Sequence, residues 1–265
     1  MLSPLTLLTL ATSLATSASA KLLWDGRANA QSSSAFLSKW SWSNPVGPYQ
    51  YYIHGSQPVS HYVQLSPAYK NPADKGSKRG FQLTIDETAH WEGQTMYRTE
   101  LIPQTKAAIN QGKVYYHFSV QHSGVYAPTQ AEEHQVAFFE SHFTEMKYGM
   151  GGNSLHWYAN GASKWSVPFK KGVWHNVAYG IDFAKGTVEF YHSTGGGKLV
   201  KKAGPVSVSA SSNGQDWHVG VLRLPGSGEG KKENWHFSGV YIEKGALTRS
   251  VSGPGGAKAR RSVEA

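Results

Sequence analysis

Two of the 17 acidic residues stand out by where the sequence puts them. Glu100 lies in Met96-Tyr97-Arg98-Thr99-Glu100-Leu101-Ile102, where a two-residue repeat puts Arg98 and Glu100 on one face of a strand. Glu140 lies in Val136-Ala137-Phe138-Phe139-Glu140-Ser141-His142-Phe143, apolar surroundings in which an ionisable group is expensive to keep without a task. Two carboxyl groups, one donating a proton and the other acting as base or nucleophile, are what cleavage of a glycosidic bond requires. The plainer readings are a same-face ion pair with Arg98 for Glu100 and a solvated strand end for Glu140. Asp74, Asp86, Glu87, Asp182, Glu229 and Glu233 sit in turn-like or edge contexts and read as surface carboxylates.

The remaining reactive residues narrow the chemistry. His218, between Trp217 and Val219-Gly220-Val221, either faces a groove or is a satisfied structural histidine. None of the 12 histidines is paired at helical metal-ligand spacing, and His134 and His142 are too far apart along a strand to hold one ion together. With no cysteine there is no disulfide framework, zinc ribbon or thiol nucleophile. No Gly-x-Ser-x-Gly elbow occurs, and Gly195-Gly196-Gly197 lacks the strand–loop–helix setting of a phosphate loop. Neither cofactor nor metal is expected.

The elements that must position these residues are strands. Lys113–His122 is the clearest: Val114, Tyr116, Phe118 and Val120 share one face, and Tyr115, His117, Ser119 and Gln121 the other. The first face should pack and the second line a groove. Trp174–Phe183 and Gly186–Ser193 form a hairpin about Ala184-Lys185-Gly186. Further strands are expected at Arg79–Asp86, Thr95–Ile102, Leu155–Ala159, Trp217–Leu224 and His236–Glu243, separated by Gly-, Pro- and Ser-rich loops. The segment Ala131–Phe143 fits two periods: Val136, Phe139 and Phe143 at helical spacing, Val136, Phe138 and Glu140 at strand spacing. Many short strands with almost no amphipathic helix predict an all-β, single-domain jelly roll of two packed antiparallel sheets.

The 265 residues fit one such domain, and 12% aromatic content with only 16% charged residues excludes disorder over most of the length. Met1–Ala20 carries no charge, an apolar run from Leu5 to Leu14 and the small residues Ala18-Ser19-Ala20. It reads as a secretory signal, so the protein is expected to be secreted with mature residue Lys21. Ser250–Ala265 reads as a flexible tail, leaving 21–249 as the domain. The chain carries a net charge of +9, a mild pointer to polyanionic chains. Its Lys and Arg are dispersed, so neither nucleic acid nor membrane is expected as a partner. A monomer acting on a polysaccharide is. Aromatic residues suit the stacking of sugar rings.

The start Lys21-Leu22-Leu23-Trp24-Asp25-Gly26-Arg27, the run Tyr97-Arg98-Thr99-Glu100-Leu101, the segment His134–Glu140, Trp174-His175-Asn176-Val177 and Asp216-Trp217-His218-Val219-Gly220 together resemble the fungal β-glucanases of glycoside hydrolase family 131. The likeness covers nearly all of Lys21–Lys244. It implies a β-jelly roll and an inverting hydrolase cutting β-1,3, β-1,4 and β-1,6 linkages of glucans. It further implies that Glu100 and Glu140 are the catalytic pair, that Glu140 lies on a strand facing the cleft, and that His218 is a groove residue important to activity.

Sequence neighbours suggest roles. Arg98 should keep Glu100 ionised and suit it as base, while Phe138, Phe139 and Phe143 should raise the pKa of Glu140 and suit it as acid. Arg98, Gln121, His134, Gln135, Lys147 and Tyr148 are candidates for substrate contact, with surface polarity as the alternative. Two rival functions remain at this stage. One is a polysaccharide lyase using Arg98 on a uronate; the other is a non-catalytic β-glucan lectin of the same fold.

Overall fold

A computed structural model describes residues 19–41, 43–227 and 230–254. The expected secretory signal thus falls almost wholly outside the described residues, as do Glu229 and residues 255–265 of the tail. Fifteen strands are present among the described residues. In chain order they are β1 (Lys21–Asp25), β2 (Tyr49–Ile53), β3 (Val63–Ser66), β4 (Gly80–Ile85), β5 (Tyr97–Pro103), β6 (Lys113–Gln121), β7 (His134–Phe139) and β8 (Thr144–Tyr148), followed by β9 (Ser154–Ala159), β10 (Ala162–Pro168), β11 (His175–Asp182), β12 (Thr187–Thr194), β13 (Val200–Ser207), β14 (Trp217–Arg223) and β15 (Glu233–Lys244). Among the described residues helix is confined to the single turn α1 (Val59–Tyr62) and two short 3-10 turns.

The strands form two antiparallel sheets of a jelly roll. One runs β13-β12-β11-β6-β15-β4-β3, with β1 added alongside β15; the other runs β10-β9-β8-β7-β14-β5-β2. Alternation along each strand sends one set of side chains into the space between the sheets. Tyr116, Phe118, Trp235 and Phe237 enter from the first sheet and Phe139, Trp157, Val219 and Trp217 from the second, all nearly or wholly buried. Tyr116 meets Trp217 edge to face with centroids 5.0 Å apart, and Trp157 stacks on Phe190 at the same separation.

The polar face of β6 does not line the cleft. Tyr115, His117, Ser119 and Gln121 point away from the core on the eight-stranded sheet, not on the sheet that carries Glu100. Alternation fixes which residues share a face but not which sheet the strand joins. This outer face is covered and internally bonded. His117 meets Glu243 at 3.0 Å, Ser119 donates to Asn176 at 2.7 Å, and Gln121 pairs with His236 at 2.7 Å. The segment after β15 closes over it: Thr248 donates to Glu243 through its backbone N–H and hydroxyl, and Lys75 N–H donates to Ser252. The expected tail is therefore fixed at least as far as Ser252.

The core also holds charge. Arg223, Glu233 and His134 are fully buried between the sheets. Arg223 donates to Glu233 at 2.8 Å, His134 Nε2 meets the other carboxylate oxygen at 2.8 Å, and the Arg223 guanidinium lies 4.4 Å from the Tyr97 ring centroid. Asp74, Asp86 and Glu233, expected as surface acids, are all buried because each accepts several hydrogen bonds that replace water.

Candidate active site

Three adjacent strands of the seven-stranded sheet, β5, β14 and β7, build the centre. On β5, Tyr97, Thr99 and Leu101 turn inward, leaving Arg98 and Glu100 on the concave outer face. Glu100 is opposite Gly220 of β14 and Ile53 of β2. A Cβ on Gly220 would lie 2.3 Å from the Thr99 carbonyl oxygen and 2.6 Å from the Glu100 Cα. Glycine is what lets β14 come this close to the carboxylate.

Arg98 grips Glu100 with two parallel bonds, Nε to Oε1 at 2.8 Å and a terminal nitrogen to Oε2 at 2.9 Å. Gln94, from the loop between β4 and β5, accepts from the same guanidinium at 3.0 Å. His218 on β14 then bridges the two carboxylates, with Nδ1 2.6 Å from Glu100 Oε2 and Nε2 3.1 Å from Glu140 Oε2. The Glu100 side chain is 0% exposed and that of Glu140 66%. A single imidazole thus links the two carboxylates and fills the gap between them.

The ambiguous segment is a strand, and its mixed period has a cause. Val219 and Gly220 of β14 face the single residue Ala137 of β7, which sits at φ +47°. At this bulge β7 changes phase. Val136 and Phe139 both reach the core, three residues apart as in a helix, while Phe138 and Glu140 turn to the concave face. Phe138 stacks on the His218 ring at 4.6 Å and 12°, and His142 stacks on the far side of Phe138 at 5.5 Å and 3°.

The electrostatics follow from these contacts. Burial favours neutral Glu100, but the charge and hydrogen bond of His218 and the Arg98 fork outweigh it and hold the carboxyl below its ordinary 4.5. Burial favours neutral His218 as well, yet Glu100 and Glu140 lift it to about 9. Glu140 is lowered, chiefly by the His218 hydrogen bond, against a smaller opposing effect of burial. The expected upward shift of Glu140 does not occur. Phe139 and Phe143 lie in the core, Phe138 faces His218, and the carboxylate itself meets solvent.

Of the substrate-contact candidates, Gln135 and Lys147 reach the concave face, where Glu133 accepts from them at 3.2 and 2.5 Å. Arg98 is there too, engaged with Glu100. Gln121, His134 and Tyr148 are elsewhere. Gln121 belongs to the opposite sheet, His134 to the buried ion cluster, and Tyr148 to the core, where its hydroxyl donates to Asn153. For β7 and β8 the chain supplies polar residues to both faces, so residue type alone cannot tell which of them reach the cleft. Glu133, Gln94, Glu145 and Tyr158 belong to the site face and were not anticipated, whereas Phe138 shares a face with Glu140 as strand spacing expects. Period two extended from Lys147 would have found Glu145 alone. Among the described residues no group of three metal-ligating side chains converges.

The chain belongs to glycoside hydrolase family 131: the profile described as "Glycoside hydrolase 131 catalytic N-terminal domain" matches residues 22–248. Among solved structures it is similar to a GH131 β-glucanase catalytic domain from Podospora anserina, at 61% identity and a TM-score of 0.86, over 88% of this chain and 100% of that one. It is also similar to the family 131 catalytic domain from Coprinopsis cinerea, at 48% identity and a TM-score of 0.85, over 89% of this chain and 99% of that one. No curated protein matches the chain.

Proposed function

We propose that the protein is a secreted β-glucanase that hydrolyses β-1,3 and β-1,4 glucosidic linkages, with β-1,6 as a further linkage, and inverts the anomeric carbon. The observation that carries this reading is the placement of His218 between a buried and an exposed carboxylate, within hydrogen-bond distance of both. Glu140 is ionised and open to solvent, so it serves as the base that takes a proton from the attacking water. The water oxygen bonds to the anomeric carbon as the glycosidic C–O bond breaks. The leaving oxygen takes its proton from His218 Nε2, the imidazole nitrogen that faces Glu140, while Arg98 and Glu100 hold the ring charged, and the proton taken up by Glu140 then restores the imidazole. This reverses the roles suggested by sequence neighbours. Engagement of Arg98 by Glu100 disfavours the lyase alternative, in which that cation would have to meet a uronate.

The test is reducing-end release from mixed-linkage β-1,3/1,4-glucan by wild type, Glu100→Gln and Glu140→Gln, with the anomer of the first product read by NMR and absorbance near 235 nm followed on alginate. Release of the α-anomer, lost in both variants and with alginate silent, is expected. Azide should restore turnover to Glu140→Ala, and a good leaving group should favour variants of the Glu100 side. Growth of absorbance on alginate, or binding of glucan without release, would replace the reading with the lyase or the lectin.

A further inference from the structure

The two most exposed large apolar side chains among the described residues, Val125 at 62% and Tyr126 at 54%, are neighbours in the loop between β6 and β7. That loop is pinned. Asn234 N–H donates to the Tyr126 carbonyl at 2.8 Å, Gly172 N–H to the His122 carbonyl at 2.8 Å, and Val125 N–H to the Ser123 hydroxyl at 3.2 Å. Tyr126 nevertheless sits at φ +50°, a backbone conformation that is costly for a bulky residue. The strain holds an aromatic ring out in water, where it adds nothing to the core. Lysine surrounds that ring. Lys232 places its ammonium 5.0 Å from the Tyr126 ring centroid, and Lys171 packs its stem against Gly124, 3.2 Å from where a Cβ would stand. Lys170 and Lys231 adjoin them in the chain, and all four are exposed. Dispersed in the sequence, these cations are gathered by the fold. Residues 121–128, 169–173 and 230–232 contain four lysines and no acid, and Glu87 borders the patch at Gly230.

We propose that this end of the sandwich is a docking site for a linear polyuronate, with one uronate ring on Tyr126 and the carboxylates of its neighbours on the flanking lysines. An exposed phenol gives a pyranose both an apolar platform and a polar rim. Ammonium groups on flexible stems are strongly hydrated point charges that follow carboxylates spaced along a polymer without demanding one geometry. Other polyanions fit less well. Two apolar side chains bury too little area to hold a bilayer, and single-stranded nucleic acid is met by several stacking rings in a row. The site stands apart from the cleavage reading and does not depend on it. β7 leads away from this loop, and its six residues carry the chain about 20 Å to Glu140. A polymer held here leaves the carboxylate pair free, so the enzyme can be tethered to an acidic chain while it works on a neutral one.

The test uses full-length protein and polygalacturonate as the probe, with binding read by calorimetry at about 20 and about 300 mM salt. Wild type should bind at the lower salt and weaken at the higher. The double variant Lys171→Glu/Lys232→Glu should bind at least about tenfold more weakly, and Lys171→Gln/Lys232→Gln repeats the measurement without charge reversal. Tyr126→Ala should lose about fivefold, while Tyr126→Phe keeps the ring and the affinity. Lys198→Glu/Lys202→Glu makes the same charge change at exposed lysines of β13 and the turn before it, and should stay within about twofold of wild type. Thermal melting reports that each variant is folded. Absence of binding by wild type, an equal loss in both glutamate pairs, or full affinity in Tyr126→Ala overturns the proposal. Tighter binding to phosphatidylglycerol vesicles than to the polymer, lost in Tyr126→Ala, would give the patch to a lipid surface instead.

Discussion

Gly220→Ala is the sharpest perturbation available, because its effect can be worked from distances. The added Cβ would sit 2.3 Å from the Thr99 carbonyl oxygen and 2.6 Å from the Glu100 Cα, both backbone atoms that no rotamer change can move. Normal contact needs about 3.4–4 Å between such atoms, so β14 and β5 must part locally by about 1 Å. Overpacking of this kind costs about 1–3 kcal/mol. For a domain of this size that corresponds to a fall of about 2–12 °C in Tm. The larger consequence is catalytic. His218 and Glu100 stand on the two strands being forced apart, 2.6 Å from one another, and a displacement of about 1 Å in a catalytic constellation costs about a hundredfold in rate. Thermal melting and reducing-end release on the same preparation check this together, assayed well below the variant's Tm. A variant that keeps activity within about threefold of wild type while melting normally would refute the claim that this glycine sets the carboxylate–imidazole contact.

The His218 value of about 9 lies above its unfolded 6.5, so its stabilisation is complete below pH 6.5 and is lost as pH rises through 9; at about 1.4 kcal/mol per unit this is about 3 kcal/mol, read as a slope in denaturant-derived stability that His218→Gln abolishes. Glu100 has the opposite sense: its contribution is present above 4.5 and disappears as pH falls, and Glu100→Gln should flatten the acid limb. Arg223→Met strands Glu233 inside the sandwich and should cost about 3–5 kcal/mol in a denaturant titration, while the folded fraction keeps its pH–rate profile. Gln121→Ala should leave kcat/KM unchanged and lower stability by about 1 kcal/mol, since the lost partner is His236 on the far sheet. A fall in kcat/KM there would return Gln121 to the cleft.

What the sequence carried, and what it did not, divides along a physical line. Strict alternation made β6, β11 and β12 readable to within a residue or two, and Arg98 and Glu100 were placed on one face for the same reason. The edge strands β3, β10 and β13 were missed because their residues are half-exposed and lack a clear two-residue repeat. The segment around Glu140 was ambiguous for a definite reason: the phase change at Ala137 writes a helical spacing into a strand, and only cross-strand partners reveal it. Glu233 looked like a turn acid because its partners Arg223 and His134 lie 10 and 99 residues away. Such partners are invisible to any local window. The pKa of Glu140 was misjudged because sequence neighbours on a strand point to opposite faces.

The same three strands carry an ionic network on each side. Tyr97, Arg223 and His134 face inward to Glu233, and one residue along each strand Arg98, Leu222 and Gln135 face the cleft. The two sets are separated only by the thickness of the backbone that bears them. Sliding or peeling β5, β14 or β7 would thus uncover a buried charge on one side while breaking Glu100 from His218 on the other, so the centre of the cleft has no cheap local opening. Amide protons of Thr99, Val219 and Val136 should exchange with deuterium only through global unfolding. Any flexibility needed for turnover must then come from the side chains and loops around the sheet, with the three strands acting as a fixed anvil beneath them.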